Sequence, residues 1–372
     1  ACSSDDNNDN DGNGGNGNGN EIENGTILKG TITSDVTLAA GNTYKLSGEY
    51  IVEEGATLHI EEGVKIIAVY DDIADYILVK QGGKINAVGT PDKPIVMTSE
   101  KEEPGAWGGI HICGRAHTNA EGGKGSSEIG GAVYGGNDDA DNSGTLQYIR
   151  LEYTGFAFDE EHEANGISFY GVGNGTIVDH CQAYKGSDDG FEFFGGSVNV
   201  SNLVAVSCSD DSFDWTEGWN GKGTNLVAYQ EAESTLGYDC DCLMECDNNG
   251  SNNAATPVAH PVLKNLILVG NGGSKQGIRL RAGTEVEIDN AKVCGKGQPL
   301  TVETALTENA LKNGTSKLTN ITLTSELSCK EGIYTHADFI AVTSNKVDAN
   351  LSYSSFEDIK KECSWMNGNW VK

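Results

Sequence analysis

The stretch that decides the fold is Lys185–Gly221, KGSDDGFEFFGGSVNVSNLVAVSCSDDSFDWTEGWNG. It contains one motif twice, because Ser187–Phe193 (SDDGFEF) recurs as Ser209–Trp215 (SDDSFDW) at an offset of 22 residues. A repeat of this period, in a glycine-rich chain with short β-type segments, is typical of a solenoid whose repeats stack on one another. Equivalent residues of successive repeats then lie in columns. The stretch therefore predicts the architecture and the stacking of its acidic side chains.

Composition favours β-structure and excludes some partners. Glycine accounts for 50 of the 372 residues, and Val, Ile, Thr and Tyr recur in short alternating segments between turns. The formal net charge of −30 argues against nucleic acid and anionic membrane surfaces, because both require clusters of Lys and Arg. Cations, neutral glycans and basic proteins remain as alternatives, beside a simple role of the charge in solubility. No apolar run reaches transmembrane length.

Close spacing of the short strands predicts an all-β chain that turns a corner every few residues, as in a parallel β-helix of roughly ten rungs. We expect one domain over residues 21–372, with an insertion at 114–145 that reads as a surface loop and a cap at 299–372. A helix is predicted between Val302 and Asn313. A terminal helix from Phe356 to Cys363 is expected to cover the open end, since an open end is an exposed sheet edge.

Aligning the rungs on the repeat predicts one apolar and two polar columns. The inward column consists of Ile167, Phe191, Phe213, Met244 and Ile278. The next residue along a strand points to the other face, so the outward column consists of Ser168, Glu192, Asp214, Glu245 and Arg279. A further column at the turns consists of Asp188, Asp210, Asp241 and Lys275.

Stacked carboxylates must be compensated. At a rung spacing of roughly 4.8 Å two of them repel by about 3.5 kcal/mol if the effective dielectric constant is about 20. A bound Ca²⁺, protonation, or neutralisation by Lys275 and Arg279 would relieve this. The sequence predicts a Ca²⁺ site formed by Asp188, Asp189, Glu192, Asp210, Asp211, Asp214, Asp241 and Glu245. The alternatives are turn acids that need no ligand, because Asp-Asp-Gly is turn chemistry, and a groove for a glycan or for catalysis.

Two further groups of residues are candidates for binding. The segment 137–142 (NDDADN) resembles the start of an EF-hand loop, without the glycine and glutamate at their EF-hand positions. It offers a second Ca²⁺ site formed by Asp138, Asp139 and Asp141. Outward-facing aromatic residues beside carboxylates would stack on a sugar ring, and the candidates are Phe194, Trp219 and Tyr229. Loop packing is the alternative for these rings.

The first residues resemble a bacterial lipoprotein after signal cleavage. Ala1 precedes Cys2, the expected lipidated residue, and the acidic residues that follow resemble the surface-export signal of Bacteroidetes lipoproteins. Residues 3–20 contain only Ser, Asp, Asn and Gly, so residues 1–20 are predicted to be a flexible, lipid-anchored tether. We therefore expect the protein at the cell surface, on the outer membrane.

Nine further cysteines follow Cys2. An exported protein can form disulfides, and the candidate pairs are Cys329 with Cys363, or pairs among Cys240, Cys242 and Cys246.

A series of short motifs carries a family resemblance over about residues 26–300. The order of these motifs resembles a family of bacterial cell-surface proteins, common in Bacteroidetes, whose fold is a right-handed parallel β-helix. The resemblance implies a fold and a surface location but no settled activity. The motifs include Gly55–Leu58, Trp107–Gly109, Asn165–Ile167, Asp188–Glu192 and Asp210–Asp214.

A second resemblance is to pectate lyases. Ile177–Cys181 (IVDHC), followed by Asp188–Gly190, is similar to a strand of those enzymes, in which carboxylates hold Ca²⁺ and an arginine removes the proton α to the uronate carboxyl. The resemblance would make Arg279 or Arg281 the base. The prolines of the lyase arginine motif are absent from Gly277–Ala282.

We therefore expect a non-catalytic surface lipoprotein, stabilised by Ca²⁺, that acts as a binding or accessory component of an outer-membrane uptake or assembly complex. Its ligand would be a glycan or a partner protein, with the N-terminal lipid as its sole membrane contact. The alternatives are a Ca²⁺-dependent polysaccharide lyase, or another glycan-active β-helix enzyme, and a purely architectural surface protein.

Overall fold

The computed structural model describes residues 20–372, so Cys2 and nearly all of the expected tether lie outside the described residues. Within this range, 25 strands form one continuous set of parallel ladders. Each turn of the chain adds one strand to each of three sheets. The right-handed parallel β-helix predicted from the repeat is confirmed.

The first sheet carries the repeat. Phe191 lies opposite Phe213, which lies opposite Met244 on the next strand, so the predicted apolar column is confirmed. The strands of this sheet are Ile27–Ile32, the second half of Thr43–Val52, Tyr76–Val79, Ile110–Cys113, Ile167–Tyr170, Phe191–Phe194, Phe213–Thr216, Met244–Asp247, Gln276–Arg281, Gln298–Val302 and Ser328–Cys329.

The second and third sheets share long strands that bend between them. The early rungs use separate strands, which are Asn20–Ile22, Val36–Leu38, Thr57–Ile60 and Lys84–Val88 in the second sheet and Lys65–Ala68 and Ile95–Ser99 in the third, beside the first half of Thr43–Val52. The bent strands are Gly144–Glu152, Ile177–Tyr184, Asn199–Val206, Lys222–Tyr229, Val262–Val269, Glu287–Cys294 and Lys317–Leu323, and Lys346–Val347 closes the third sheet.

One residue with positive φ makes each bend, and on five rungs this residue is asparagine. Short polar side chains tolerate the left-handed region better than most others. Asn225 Nδ2 donates to Asn202 Oδ1 at 2.8 Å, Asn265 Nδ2 to Asn225 Oδ1 at 3.1 Å, and Asn290 Nδ2 to Asn265 Oδ1 at 2.8 Å. These amides form a ladder along the solenoid. The ladder ends at Asn320, which donates to an aspartate instead.

Stacked aromatic rings fill the middle of the core. Phe191 stacks on Phe213 with ring centroids 5.6 Å apart, and Phe193 stacks on Phe169 at 5.0 Å and on Trp219 at 4.0 Å. All five side chains are buried. Offset stacking of this kind adds to the free energy gained from burial alone.

The insertion at 114–145, predicted as a surface loop, packs on the outer face of the first sheet. It contains the 3₁₀ turn Glu121–Gly123 and a hairpin of Gly125–Ser126 with Val133–Tyr134. Ile129 and Tyr134 pack with Tyr170 and Phe194 of the first sheet in a second apolar cluster. This contact could not be predicted from the sequence, because the few apolar residues lie within a Gly-rich and Asp-rich segment.

The helices lie mainly at the C-terminal end. The predicted helix near residue 302 is confirmed as Ala305–Lys312, and His336–Ala341 begins with a capping box. Leu311 and Phe339, from these two helices, join the main core, so these helices cover the last rung. A short helix, Glu233–Leu236, lies in a loop. None of the helices in residues 20–372 is long and apolar enough to cross a bilayer.

The terminal helix is Phe356–Glu362, but it does not cover the open end as expected. Together with the 3₁₀ turn Ser364–Met366 and the residues up to Lys372, it forms a strap along the outside of the third sheet. Ile359 and Trp370 pack on outward-facing valines of that sheet. Those valines form an apolar stripe along one face, and the strap keeps this stripe from water.

Candidate cation-binding site

The outer face of the first sheet carries the acidic column. Glu192 lies opposite Asp214, and Asp214 lies opposite Glu245, on consecutive strands. Ser168 precedes this run and Arg279 follows it. The order of the column, as inferred from the sequence, is confirmed by the register.

All eight predicted acids come together in four overlapping groups, within each of which three side-chain ligand atoms lie within 4.8 Å of one another. The groups are Asp188, Asp189 and Asp210; Asp189, Glu192 and Asp214; Asp211, Asp214 and Glu245; and Asp211, Asp241 and Cys242. The second and third groups are one arrangement displaced by one rung. We call them the paired carboxylate groups, and Asp214 belongs to both.

Two of the acids also hold turns. Asp189 Oδ1 accepts the backbone N–H of Asp211 at 3.0 Å, and Asp211 Oδ1 accepts that of Cys242 at 3.0 Å. Asn165 does the same one rung earlier, accepting the N–H of Asp189 at 3.2 Å. The turn interpretation is therefore correct for one oxygen of Asp189 and one of Asp211. It does not account for Glu192 or the other acids of the outward column.

At the end of the column where Ser168 precedes the acids, Asn165 acts as a hydrogen-bond donor. Asn165 Nδ2 donates to Ser168 Oγ and to Glu192 Oε1, both at 2.9 Å. On the opposite side, Arg281 forms ion pairs with Glu245 and with Asp247, the latter at 2.7 Å. Asp214 lies between these two borders. Over residues 20–372 no side chain donates a hydrogen bond to it.

The sequence named the wrong basic residues for neutralisation. Lys275 pairs with Asp239 at 3.3 Å and Arg279 pairs with Glu303 at 3.3 Å, so neither forms an ion pair with an acid of the paired carboxylate groups. Arg281 lies two residues further along the strand, on the same face, and reaches back across the rung. One guanidinium cannot balance the acids of both paired carboxylate groups.

Burial and mutual repulsion raise the pKa of the central acids. Burial is the main cause for Asp189, Glu192, Asp211 and Asp214, and neighbouring carboxylates add to it, so the pKa of each lies well above its usual range. The same causes raise the pKa of Asp188 to about 10. Without another positive charge, these groups would have to hold protons at neutral pH.

Three acids near the column were missed in the sequence. Burial raises the pKa of Glu128, in the insertion, to about 7, and the charges of Glu163 and Glu217 add to the shift. Glu163 also hydrogen bonds to Asp188. The insertion brings Glu128 to the column and a neighbouring loop brings Glu163, whereas Glu217 follows the strand Phe213–Thr216 and accepts hydrogen bonds from Thr118 and Tyr134 of the insertion. Glu128 and Glu163 lie outside the repeat, and Glu217 stands where the preceding repeat has Gly195, so no spacing in the sequence relates these acids to the column.

The donor set of the paired carboxylate groups fits a hard divalent cation. Each group offers carboxylate oxygens alone, and the members of the outward column are half-buried rather than sealed from water. Ca²⁺ takes six to eight oxygen ligands and tolerates irregular geometry, with water completing its shell. The group that contains Cys242 is less suitable, because burial and nearby acids raise the pKa of that thiol.

The predicted sugar-stacking aromatics do not form a platform. Phe194 is 6 % exposed beneath the insertion, where it stacks on Tyr170 at 4.4 Å. Trp219 is 1 % exposed within the core. Tyr229 lies on another face, against Phe356 of the strap at 5.4 Å. The expectation that these rings face a groove beside the acids is wrong, because each packs against the fold.

The possible second metal loop is occupied by its own hydrogen bonds. Asp139 Oδ1 accepts the backbone N–H and ring Nδ1 of His117 at 3.0 and 2.8 Å, and Asp141 Oδ2 accepts the N–H of Arg115 at 2.7 Å. Asp138 accepts a backbone N–H within its own turn. Within residues 20–372 these acids form no group of three ligand atoms like those of the column. Their hydrogen bonds connect two parts of the insertion.

All nine cysteines of the described range are free thiols, and eight of them are buried. Cys329 packs against the main core and Cys363 belongs to the strap cluster. Cys240, Cys242 and Cys246 are separate thiols. None of the candidate disulfides is formed in the described part of the chain.

A family model described as a pectate-lyase-like β-helix domain matches residues 30–372. The chain belongs to this family. No curated protein and no solved structure matches the chain. Membership of the pectate-lyase-like β-helix family agrees with the ladders of parallel strands and says nothing finer about activity.

The acidic column predicts an unusual pH dependence for this β-helix. The folded pKa of each central acid is raised, so its contribution to stability is fully present below the unfolded carboxyl pKa, about 4, and is lost as pH rises through the folded value. In chelator, we expect the free energy of unfolding to fall between about pH 5 and about pH 8, as measured by urea denaturation.

The variant Asp214→Asn should flatten this slope. Asp72→Asn removes the same charge at an exposed position and should leave the slope unchanged, which controls for net charge. A metal-free protein whose free energy of unfolding increases over this pH range would contradict the raised pKa values of the central acids.

Proposed function

We propose that this chain is a Ca²⁺-binding β-helix protein of the bacterial cell surface, which binds its ligand without cleaving it. The observation that carries the proposal is the pair of carboxylate groups that share Asp214. Asn165 and Arg281 mark the two borders, where a hydrogen-bond donor and a positive charge balance the column. Between these borders a divalent cation would supply the missing positive charge and would be coordinated by the carboxylate oxygens.

Binding of a cation to the folded state alone must stabilise that state. We expect Ca²⁺ at about a hundred times its dissociation constant to raise the free energy of unfolding by about 2.7 kcal/mol, with a corresponding rise in melting temperature. Mg²⁺ should do less, because it requires regular octahedral geometry and gives up water reluctantly.

Asp214→Asn should remove most of this stabilisation, since it removes an oxygen anion from both groups. Asp72→Asn is the matched control and should respond to Ca²⁺ like the unmodified chain. Calorimetric titration that detects no Ca²⁺ binding, with equal melting temperatures in Ca²⁺ and in chelator, would refute the proposal.

One observation favours a second candidate, a polysaccharide lyase. Arg281 lies within ion-pairing distance of the acidic column, where a catalytic arginine would have to be. However, the carboxylates of Asp247 and Glu245 raise the pKa of Arg281, and a base must lose its proton to act. The geometry thus supports a structural cation more than a catalytic base.

A polyuronate panel separates the two candidates. We expect no unsaturated, ultraviolet-absorbing product when the Ca²⁺-loaded protein is incubated with polyuronates of different composition. A product whose formation is abolished by Arg281→Lys, a variant that retains the positive charge, would establish the lyase instead.

The surface location rests on the resemblance of the first six residues to a processed lipoprotein. We propose that Cys2 carries the lipid and that the protein serves an outer-membrane complex or binds a glycan there. Expressed with its native leader, the protein should fractionate with the outer membrane and be accessible to protease on intact cells. Cys2→Ser should release it, and an unchanged membrane fraction for this variant would exclude the lipid anchor.

A further inference from the structure

A groove runs along the bend between the second and third sheets, on a different face from the acidic column. Its cavity measures about 370 Å³. The amides of Asn225, Asn265 and Asn290 form its floor, and Trp365 of the strap forms one wall. We call this cavity the bend groove.

The strap fills the same concavity on earlier rungs. There the bend residues are Tyr148 and His180, and Trp370 packs edge-on against both rings, with centroids at 5.9 and 5.4 Å. Trp370 is fully buried by this contact. On later rungs asparagine replaces the rings, and the strap leaves an open cavity above the amides.

The floor of the groove offers hydrogen-bonding groups in both directions. Asn225 and Asn265 each use one N–H and one lone pair in the ladder, and Asn290 donates once. Within the described chain these three amides make no other hydrogen bonds. Each amide has two N–H groups and two lone pairs. The second N–H and second lone pair of each amide are therefore available at a repeat of one rung.

The walls add an aromatic face and no net charge. Trp365 is half-buried and lies at 6.3 Å from Trp370. Lys292 Nζ pairs with Glu362 Oε2 at 3.4 Å, so the charged groups at the rim balance each other. A pocket of this size, with an aromatic wall and a few fixed polar groups, is of the kind that binds small organic ligands.

We propose that the bend groove binds a neutral sugar, with one or two pyranose rings of a glycan seated on the asparagine ladder. A pyranose has an apolar face for Trp365 and hydroxyls that both donate and accept, which is what paired amide groups require. Neutrality of the rim favours an uncharged sugar over a uronate. This site gives the glycan-binding part of the proposed function a location that does not depend on Ca²⁺.

Saturation-transfer NMR with two neutral disaccharides, cellobiose and lactose, tests the site on the whole chain, with a digalacturonate as the charged comparison. We expect at least one neutral disaccharide to receive saturation and to perturb tryptophan fluorescence, in Ca²⁺ and in chelator alike. Trp365→Ala should weaken this binding by about tenfold. Asn265→Gly should weaken it by a similar factor, because it removes one amide while glycine accepts the positive φ.

Asn137→Ala, which removes an amide from an exposed turn of the insertion, is the control and should bind like the unmodified chain. Circular dichroism and melting temperature confirm that each variant is folded. Absence of saturation transfer to both neutral disaccharides overturns the proposal. Unchanged affinity in both Trp365→Ala and Asn265→Gly overturns it as well. Binding that is lost in chelator but survives in Trp365→Ala would place the sugar at the acidic column, and this too overturns the bend-groove site.

Discussion

Parallel pairing in register is the constraint on which the rest of this structure depends. Each rung places a side chain directly above its equivalent, at the spacing between hydrogen-bonded strands. Phe191 lies opposite Phe213 for this reason, and Asn225 is within hydrogen-bonding distance of Asn202. The interaction between a side chain and its equivalent on the next rung, favourable or unfavourable, is therefore repeated along the solenoid. Stacked apolar rings and amides stabilise the fold, whereas stacked carboxylates destabilise it.

Asparagine and aspartate show the two outcomes on different faces of one solenoid. An amide carries donors and acceptors, so in a column each amide can donate to one neighbour and accept from the other. An ionised carboxylate only accepts, so a column of carboxylates must be completed from outside. Asn165 and Arg281 complete the two borders of the acidic column. Asp214 lies where neither of them donates a hydrogen bond, and this position is where a cation fits.

The repeat made the columns predictable, because register follows from spacing once the architecture is known. Glu192, Asp214 and Glu245 could be aligned from the sequence alone. What covers the sheets could not be predicted, since the insertion and the strap reach their contacts across long stretches of chain with no periodicity. The choice of Arg281 over Arg279 was likewise hidden, because both residues lie on the outward face and only side-chain direction distinguishes them. The double role of Asp189, which holds a turn and contributes to a carboxylate group, could not be predicted either, because it depends on the direction of each carboxylate oxygen.

The shared carboxylate has a consequence for how the column would respond to a cation. Asp214 belongs to both paired carboxylate groups, so the two groups cannot be treated as independent sites. A cation in one group draws on the charge of Asp214 and thereby weakens the attraction available to the other. The same cation lowers the pKa of neighbouring acids, which releases protons and prepares their oxygens to act as ligands. The weaker attraction opposes binding of a second ion, whereas the release of protons favours it. Because both effects act through Asp214, cation binding, protonation and folding of this face are thermodynamically linked.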